Sequence, residues 1–558
     1  MGANVKDAAP LVIKSAEELR WDDAADVVII GYGGAGACAA LEARAAGAEV
    51  LVIDRFGGGG TTAFSGGVIY AGATRFQREA GFDDTPAKMF AYLSLEVRDA
   101  VREETLHRYC DGSAADVEWL VSHGVQYASD AYLEKTIFPP EGKYLYYSGN
   151  EKAPAYAEKT PPIPRGHRAV GAGYGGQYYF AALARSAARN GVRIRTHENA
   201  QRLITDASGR VIGVEVRSLA PHLHETHQRL YERASPSLPH NNKSVEKLRA
   251  EAMRLEEQGS SVKRIRARNG VILATGGFAF SPEMLRRYSP AFARHYLLVH
   301  NLATLGNDGT GVALAEGLGA GVGRMESLYV ARNVAPPEAA LHGIMVNQQG
   351  RRFVNEDAYS SAVGLGIAQQ PDCKAWLILP AGKFRAAVKQ AMFCGWHRFK
   401  FFGAPALINF ALGGTKRGAN VQSIARACGI DASGLRESAA EHDRAIAENK
   451  PDPGGKDSHN RAALGDGPFY AINMSISNGF ALTPFMTLGG LRVDEDTGAV
   501  LRADGGVIAG LYAAGVCAMG LHSNGYISGI SLGDGVFSGR RAGRACAAVR
   551  RAAEAAHV

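Results

Sequence analysis

Gly31, Gly33 and Gly36 stand in G-x-G-x-x-G spacing directly after the apolar run Asp26 to Ile30, and Asp54 closes a second apolar run, Val50 to Ile53. In such an arrangement the glycines allow a tight turn and close approach to a pyrophosphate. The N-terminus of the following helix faces the phosphates, and the carboxylate can take a ribose hydroxyl. A lone G-x-G-x-x-G says little, because glycine is common in turns. Strand, turn, helix, strand and acid in register point to a dinucleotide, either NAD or FAD. Gly57 to Gly60, followed by Thr61, Thr62, Ser65, Gly66 and Gly67, continue the loop with backbone amides and hydroxyls. That extension suits a ligand reaching beyond its pyrophosphate, as a flavin does; the alternative is an ordinary flexible loop.

Other chemistry-bearing residues are less specific. Gly276 and Gly277 follow the apolar strand in NGVILATGGFA, and Asp308 and Thr310 open a helix in NDGTG; both could approach the same ligand. His167, in RGHRAVGAGYGG, invites a general-base role, but a structural histidine beside a Gly-rich turn is favoured, and Arg165 and Arg168 fit salt bridges. The basic run RRAGRACAAVRR has no interleaved aromatics, so a solvated helix face is expected rather than a nucleic-acid site. Seven cysteines without a C-x-x-C pair disfavour a disulfide framework, an iron–sulfur site, structural zinc or attached haem. No metal site is expected.

These residues have to be positioned by a large α/β fold. The 558-residue chain is long enough for two or more domains, and 46% apolar with 21% charged residues is a globular balance. A net charge of +7 is modest for this length. The N-terminus lacks an apolar signal core, and no apolar run reaches the ~20 residues of a membrane span, so a cytoplasmic protein is expected. Residues 1–22 read as a tail. Residues 23–322 read as the first part of the nucleotide-binding domain, with a helix over Gln177 to Asn190, a strand over Val192 to Thr196, and a hairpin over 203–216 turning at Asp206, Ser208 and Gly209. The polar segment 218–268 reads as a helical insertion, either solvated or contacting a membrane surface or another subunit. Residues 323–484 read as an inserted domain, and 485–558 return to the first domain. The fold class is therefore α/β, a discontinuous Rossmann-like nucleotide-binding domain carrying an inserted domain.

GYGGAG, TTAFSGG, VILATGGFA, NDGTG, GIMVNQQGRRFVNE, TLGGL and GLYAAG run along nearly the whole chain. In that order they resemble the flavoprotein family of fumarate reductases, succinate dehydrogenases and 3-ketosteroid dehydrogenases. The resemblance implies bound FAD, so that the first domain is a discontinuous Rossmann-like FAD-binding domain and 323–484 an inserted α+β cap (substrate) domain, with substrate held between flavin and cap. The candidate cofactor set is Gly31, Gly33, Gly34, Ala35, Gly36, Asp54, Arg55, Gly60, Thr61, Thr62, Ser65, Gly66, Gly67, Ala200, Gly276, Asp308, Gly515, Ser531 and Leu532. Succinate dehydrogenases attach FAD through a histidine in the loop before G-G. Gly60 to Ser65 contain none, so non-covalent FAD is implied.

The branch is set by a few positions. Fumarate reductases clamp a dicarboxylate with an arginine after RFVNE, histidines before T-x-G-G and an arginine near the C-terminus. Here Asp357 to Ser361, Phe485 with Met486, and Asn524 to Gly529 supply none of these. Tyrosine, phenylalanine and methionine in their place make an apolar pocket suited to a large neutral ketone. Tyr359 and the Tyr526-Ile527-Ser528-Gly529 segment look most like the Δ4-(5α) branch of the 3-ketosteroid dehydrogenases. The implied catalytic residues are Tyr526, which takes the C4 proton, with Ser528 and Tyr359 in its hydrogen-bond network. Amides near Gly529, or another tyrosine, would polarise the C3 carbonyl. Tyr329, Tyr132, Tyr144, Tyr146 and Tyr147 are possible pocket residues. A steroid-like substrate and an external electron acceptor follow. Competing readings are a Δ1-dehydrogenase, an ene-reductase of the same fold, and a flavin-bearing electron-transfer subunit.

Overall fold

The computed structural model describes residues 8–134, 136–236 and 241–555. Its main sheet is built from β1 (Leu11–Val12), β2 (Asp23–Ile30), β3 (Val50–Ile53), β4 (Arg193–Arg195), β5 (Glu198–Thr205), β6 (Val211–Leu219), β7 (Ser260–Leu273) and β8 (Val507–Ala513). Five of these lie parallel in the order β4-β3-β2-β7-β8, the arrangement of a doubly wound nucleotide-binding sheet. Val27, Val28, Ile29 and Ile30 are all buried. Alternate residues feed two separate cores, Val28 and Ile30 on one face, Val27 and Ile29 on the other. This is why β2 reads as an unbroken apolar run instead of alternating. Full burial of each such side chain is worth about 1.5–3 kcal/mol.

The strand order reverses direction between β2 and β7, so a crevice opens beyond their C-terminal ends. β7 is shared: its first half pairs antiparallel with β6, its second half parallel with β8. The β5–β6 hairpin turns where expected, with the Asp206 carboxylate accepting from the amides of Ser208 (2.9 Å) and Arg210 (3.1 Å).

Three expectations need correction. Residues 8–22 are not a free tail, because β1 pairs with β5 through Leu11 and Val12, and Ile13 is buried; residues 1–7 lie outside the described chain. The insertion is shorter than 218–268, because β6 extends to Leu219 and β7 begins at Ser260, so that the strands it separates pair directly. Neither is the insertion merely solvated. With α1 (Gly34–Ala45) and α2 (Gly60–Phe64) on the nucleotide side, the insertion's α3 (His224–Arg233) and α4 (Asn242–Gly259) pack Tyr231, Ala234 and Val245 with Phe56 and Phe280. Polar periodicity hid this: only one narrow face of each helix is apolar.

Between these halves, strands Ile344–Val346, Trp376–Pro380, Phe469–Asn473 and Lys416–Gly418 form a separate four-stranded antiparallel sheet. It is flanked by α5 (Ala381–Met392) and α6 (Ala404–Leu412). α7 (Ile530–Ala555) then returns to pack on α1. A Cβ at Gly539 or Gly543 would meet the carbonyl oxygen of Ala35 or Ala39 at 2.5 or 2.4 Å, so only glycine allows this approach. The basic stripe of α7 is partly docked rather than solvated: Arg540 pairs with Glu42 at 2.8 Å and with Asp116.

Candidate active site

A cleft of about 510 Å³ begins at the sheet crossover and runs toward the four-stranded sheet, a size typical of small-molecule sites. One stretch of its wall is the turn between β2 and α1. Gly31 has φ +103°, and a Cβ there would meet the Ala274 carbonyl at 2.4 Å. The Gly34 amide donates to Thr62 Oγ1 (3.1 Å), while Thr61 Oγ1 accepts from the Thr304 amide (3.2 Å) and Asn307 Nδ2 (3.1 Å). Gly33, Gly34, Ala35, Gly60, Ser65 and Gly66 line this stretch, with Gly276 and Gly515 across from them. Gly36 and Gly67 do not line it. A Cβ at Gly36 would lie 2.0 Å from the Gly31 carbonyl, and one at Gly67 would lie 2.3 Å from Gly175, so both serve close packing.

At one end, Asp54 and Ala200 form the wall with Phe56, Asn199 and Tyr231. Asp54 accepts from the amides of Tyr32 (2.7 Å) and Phe56 (2.8 Å). Arg55 and Asp308 also line the cleft, but their charges are turned to each other and away from a ligand. Arg55 pairs with Glu256 and Asp308, both at 2.7 Å, and Asp308 also accepts from Thr310. Burial raises Glu256, but Arg55 and His227 more than reverse this and hold it at about 2. Glu198 lies in the same wall, and its Oε2 is buried with no hydrogen-bond partner. Sequence reasoning missed Glu198, although a carboxylate two residues before Ala200 in a buried strand was an available signal. Tyr231 gave no such signal, coming from a segment read as polar surface.

At the other end the aromatic and apolar residues converge. Tyr526, Tyr359 and Ser528 all face the cleft, as does Tyr329. The Tyr329 and Tyr526 rings meet edge-on at 4.7 Å and 66°. Tyr359 and Tyr329 sit with Ala331 and Leu488, and Ile137, Leu302 and Met486 pack against them. Ser528 is fixed by its amide donating to the Ser148 carbonyl (3.0 Å) and by Ser148 Oγ donating back (2.9 Å); its hydroxyl meets Tyr146 at 3.2 Å. The Tyr526 carbonyl accepts from Ser361 Oγ (2.9 Å). Tyr359 is held by its amide donating to Asn150 Oδ1 (2.7 Å), whose Nδ2 donates to Glu96 (2.8 Å). Burial pushes Tyr526 up to about 12 and raises Tyr359 further, with Tyr329 and Tyr526 adding to the latter. Tyr132, Tyr144, Tyr146 and Tyr147 are not among the lining residues, whereas Phe138 and Tyr174, not anticipated, are. His167 sits between Thr74 Oγ1 (2.7 Å) and the Arg165 carbonyl (2.9 Å), and burial lowers it to about 4. Arg165 forms a buried fork on Asp84, both bonds at 2.7 Å, and Arg168 donates to the Gly173 carbonyl at 2.6 Å. All three are structural.

The family model described as the FAD binding domain matches residues 26–532. The chain belongs to that family. It is 37% identical over 517 residues to a 3-oxo-5-alpha-steroid 4-dehydrogenase of Comamonas testosteroni, covering 90% of this chain and 94% of that one. To a 3-oxosteroid 1-dehydrogenase of Mycolicibacterium smegmatis it is 27% identical over 541 residues, covering 88% and 91%. Among solved structures it resembles the 3-ketosteroid-Δ4-(5α)-dehydrogenase from Rhodococcus jostii RHA1 in complex with 4-androstene-3,17-dione. That match has a TM-score of 0.79 and 32% identity over 97% of this chain and 99% of the other. FAD is thus the cofactor, and the cleft fits it. The glycine turn leaves a cradle that any Cβ at Gly31 would disturb. Glu198 Oε2 at one end, and Ser531 Oγ in the first turn of α7, are buried polar atoms without a protein partner. Leu532 lines the same turn.

Proposed function

We propose that this flavoprotein is a 3-ketosteroid dehydrogenase that desaturates ring A between C4 and C5, the Δ4-(5α) type. The observation that carries this reading is the substrate end of the cleft, where the phenols Tyr526, Tyr359 and Tyr329 stand among Leu302, Met486 and Ile137. Among the described residues Arg55 is the one arginine lining the cleft, and it is at the opposite end and already paired. Two carboxylates would need a fork of cations at the tyrosines; a neutral ketone needs donors and apolar walls. The similarity to 4-dehydrogenases supports the same branch.

When bound, FAD accepts the hydride that leaves the carbon β to the ketone. The chain's own residues handle the proton and the carbonyl. Tyr526 takes the C4 proton, and a neutral phenol of the cluster donates to the C3 oxygen as negative charge develops there. Ser528, whose hydroxyl meets Tyr146 and reaches Tyr359, holds those two phenols in place beside the reacting ring. Asp54 and Glu198 would receive the ribose hydroxyls, and the loop from Gly31 to Gly66 would hold the pyrophosphate. The absence of histidine from Gly60 to Ser65 leaves FAD non-covalent, with electrons leaving to an external acceptor.

The direct test supplies a 5α-3-ketosteroid and an electron-accepting dye and identifies the product. A 4-ene product with bleaching of the dye is expected. A 1-ene product transfers the assignment to Δ1 chemistry, and no bleaching with either a 5α- or a Δ4-3-ketosteroid ends the steroid reading.

The pH profile follows from Tyr526. A base must be empty to act, and burial, by raising the phenol to about 12, keeps it filled at neutral pH. The empty fraction grows with pH, so kcat/KM is expected to climb about tenfold per unit from pH 7 until binding or cofactor steps limit. A flat profile from pH 7 to 10 would remove Tyr526 as the free base.

A further inference from the structure

Residues 373–430 contain nine lysines and arginines and no aspartate or glutamate, so this one stretch exceeds the +7 net charge of the whole chain. Within it, α5 and α6 form a helical hairpin. Gly403, just before α6, sits so close to the Ala391 carbonyl and Cys394 Sγ that a Cβ would meet them at 2.3 and 2.9 Å. The connection between the helices exposes what a soluble surface normally hides. Phe393 and Trp396 are each 76% exposed, and Leu412 at the far end of α6 is 60% exposed. Ile408 and Phe480 extend the patch, joined where Asn478 Nδ2 donates to Asn409 Oδ1 (2.7 Å). Lys389, one helical turn before Phe393, and Lys416 and Arg417, which follow α6 after a short turn, are exposed. The nearby acid Glu338 is taken by Arg398 at 2.6 Å. The same segment supplies Lys400, Phe402 and Pro405 to the cleft wall, so the patch adjoins the cleft.

We propose that this hairpin docks on the surface of an anionic phospholipid bilayer, with Phe393 and Trp396 inserted at the headgroup level. Aromatic tips ringed by cations are the pattern for interfacial binding: buried apolar area adds to attraction for negative headgroups. No helix among the described residues is long and apolar enough to cross a membrane, so the contact lies in the interface plane. Docking places the cleft wall against the phase into which a hydrophobic substrate partitions. That consequence rests on the steroid reading above; the docking itself does not.

The test is flotation of the FAD-loaded full chain with vesicles of phosphatidylcholine alone or mixed with phosphatidylglycerol, at low and high salt. Binding is expected on the mixed vesicles, weakened by salt. The double variant Phe393→Ser/Trp396→Ser is expected to lose at least about tenfold in partitioning. Neither residue lines the cleft, so that variant should keep its FAD spectrum and its dye-linked turnover with detergent-dispersed steroid. Equal flotation of wild type and variant, or none for wild type, overturns the proposal. So does a dimer seen by sedimentation in wild type and lost in the variant, which would make the patch a contact between two copies. Vesicle binding with no steroid turnover would leave docking intact and remove only the substrate assignment.

Discussion

Tyr526→Phe is expected to leave FAD bound and to cut kcat by roughly 10²–10⁴-fold, the usual contribution of a positioned acid–base group. The change deletes one oxygen and little else. The ring remains edge-on to Tyr329, and the backbone stays anchored because Ser361 Oγ donates to the main-chain carbonyl at residue 526. Leu532, which lines the cleft from the following helix, is untouched. Flavin absorbance and stopped-flow reduction with a 5α-3-ketosteroid separate binding from chemistry. Loss of FAD would mean a structural role, and unchanged reduction would exclude this phenol from proton transfer.

Arg352→Met is expected to destabilise the protein by about 3–5 kcal/mol, because it strands buried carboxylates. Arg352 forks onto Glu356 (2.9 and 2.6 Å) and reaches Asp452 (2.9 Å); Glu356 also meets Lys456 at 3.1 Å and accepts from the Met345 amide at 2.6 Å. Glu356 and Asp452 are fully buried at their carboxylates. Burial alone would raise them, but Lys456 and Arg352 depress Glu356, and His442 and Arg352 depress Asp452. Depressed carboxylates stabilise the fold above their unfolded values near ~4 and lose that contribution as pH falls through the folded values. The deficit of the variant, read from urea midpoints of the FAD-loaded protein, is therefore expected to be full at pH 7 and to shrink in acid. An equal deficit at pH 7 and pH 3 would show packing, not charge, to be responsible. Tyr359 follows Glu356 by three residues, so kcat should fall as well.

Much of the nucleotide half was legible because its signals are local. Gly31 and Asp54 lie at the ends of adjacent strands, and the backbone rules that place them there act over a few residues. The roles of Gly36 and Gly67 were misjudged because close packing and ligand approach both select glycine, and only the neighbours distinguish them. Arg55 and Asp308 were legible as cleft residues but not as partners, since their ion pair spans distant sequence positions. The tyrosine cluster is similar: Tyr329, Tyr359 and Tyr526 come from three segments, and no periodicity joins them. Tyr231 was lost to the opposite error, in which the polar pattern of its segment was taken for surface, and Glu198 was missed as a lone carboxylate at the start of a buried strand.

The shared strand β7 has a consequence for how the molecule is made. Leu273 waits beside an empty neighbour until Ala513 arrives, and synthesis of the intervening stretch of about 240 residues takes roughly 10–50 s. During that interval one edge of a parallel sheet, with its amides and carbonyls, has no partner. The segment bearing Tyr526 and α7 emerge later still. The nascent chain can thus gather its glycine turn early, but it acquires a complete flavin pocket only near the end of translation. Ribosome stalling between these positions is the condition under which this chain is most exposed to aggregation.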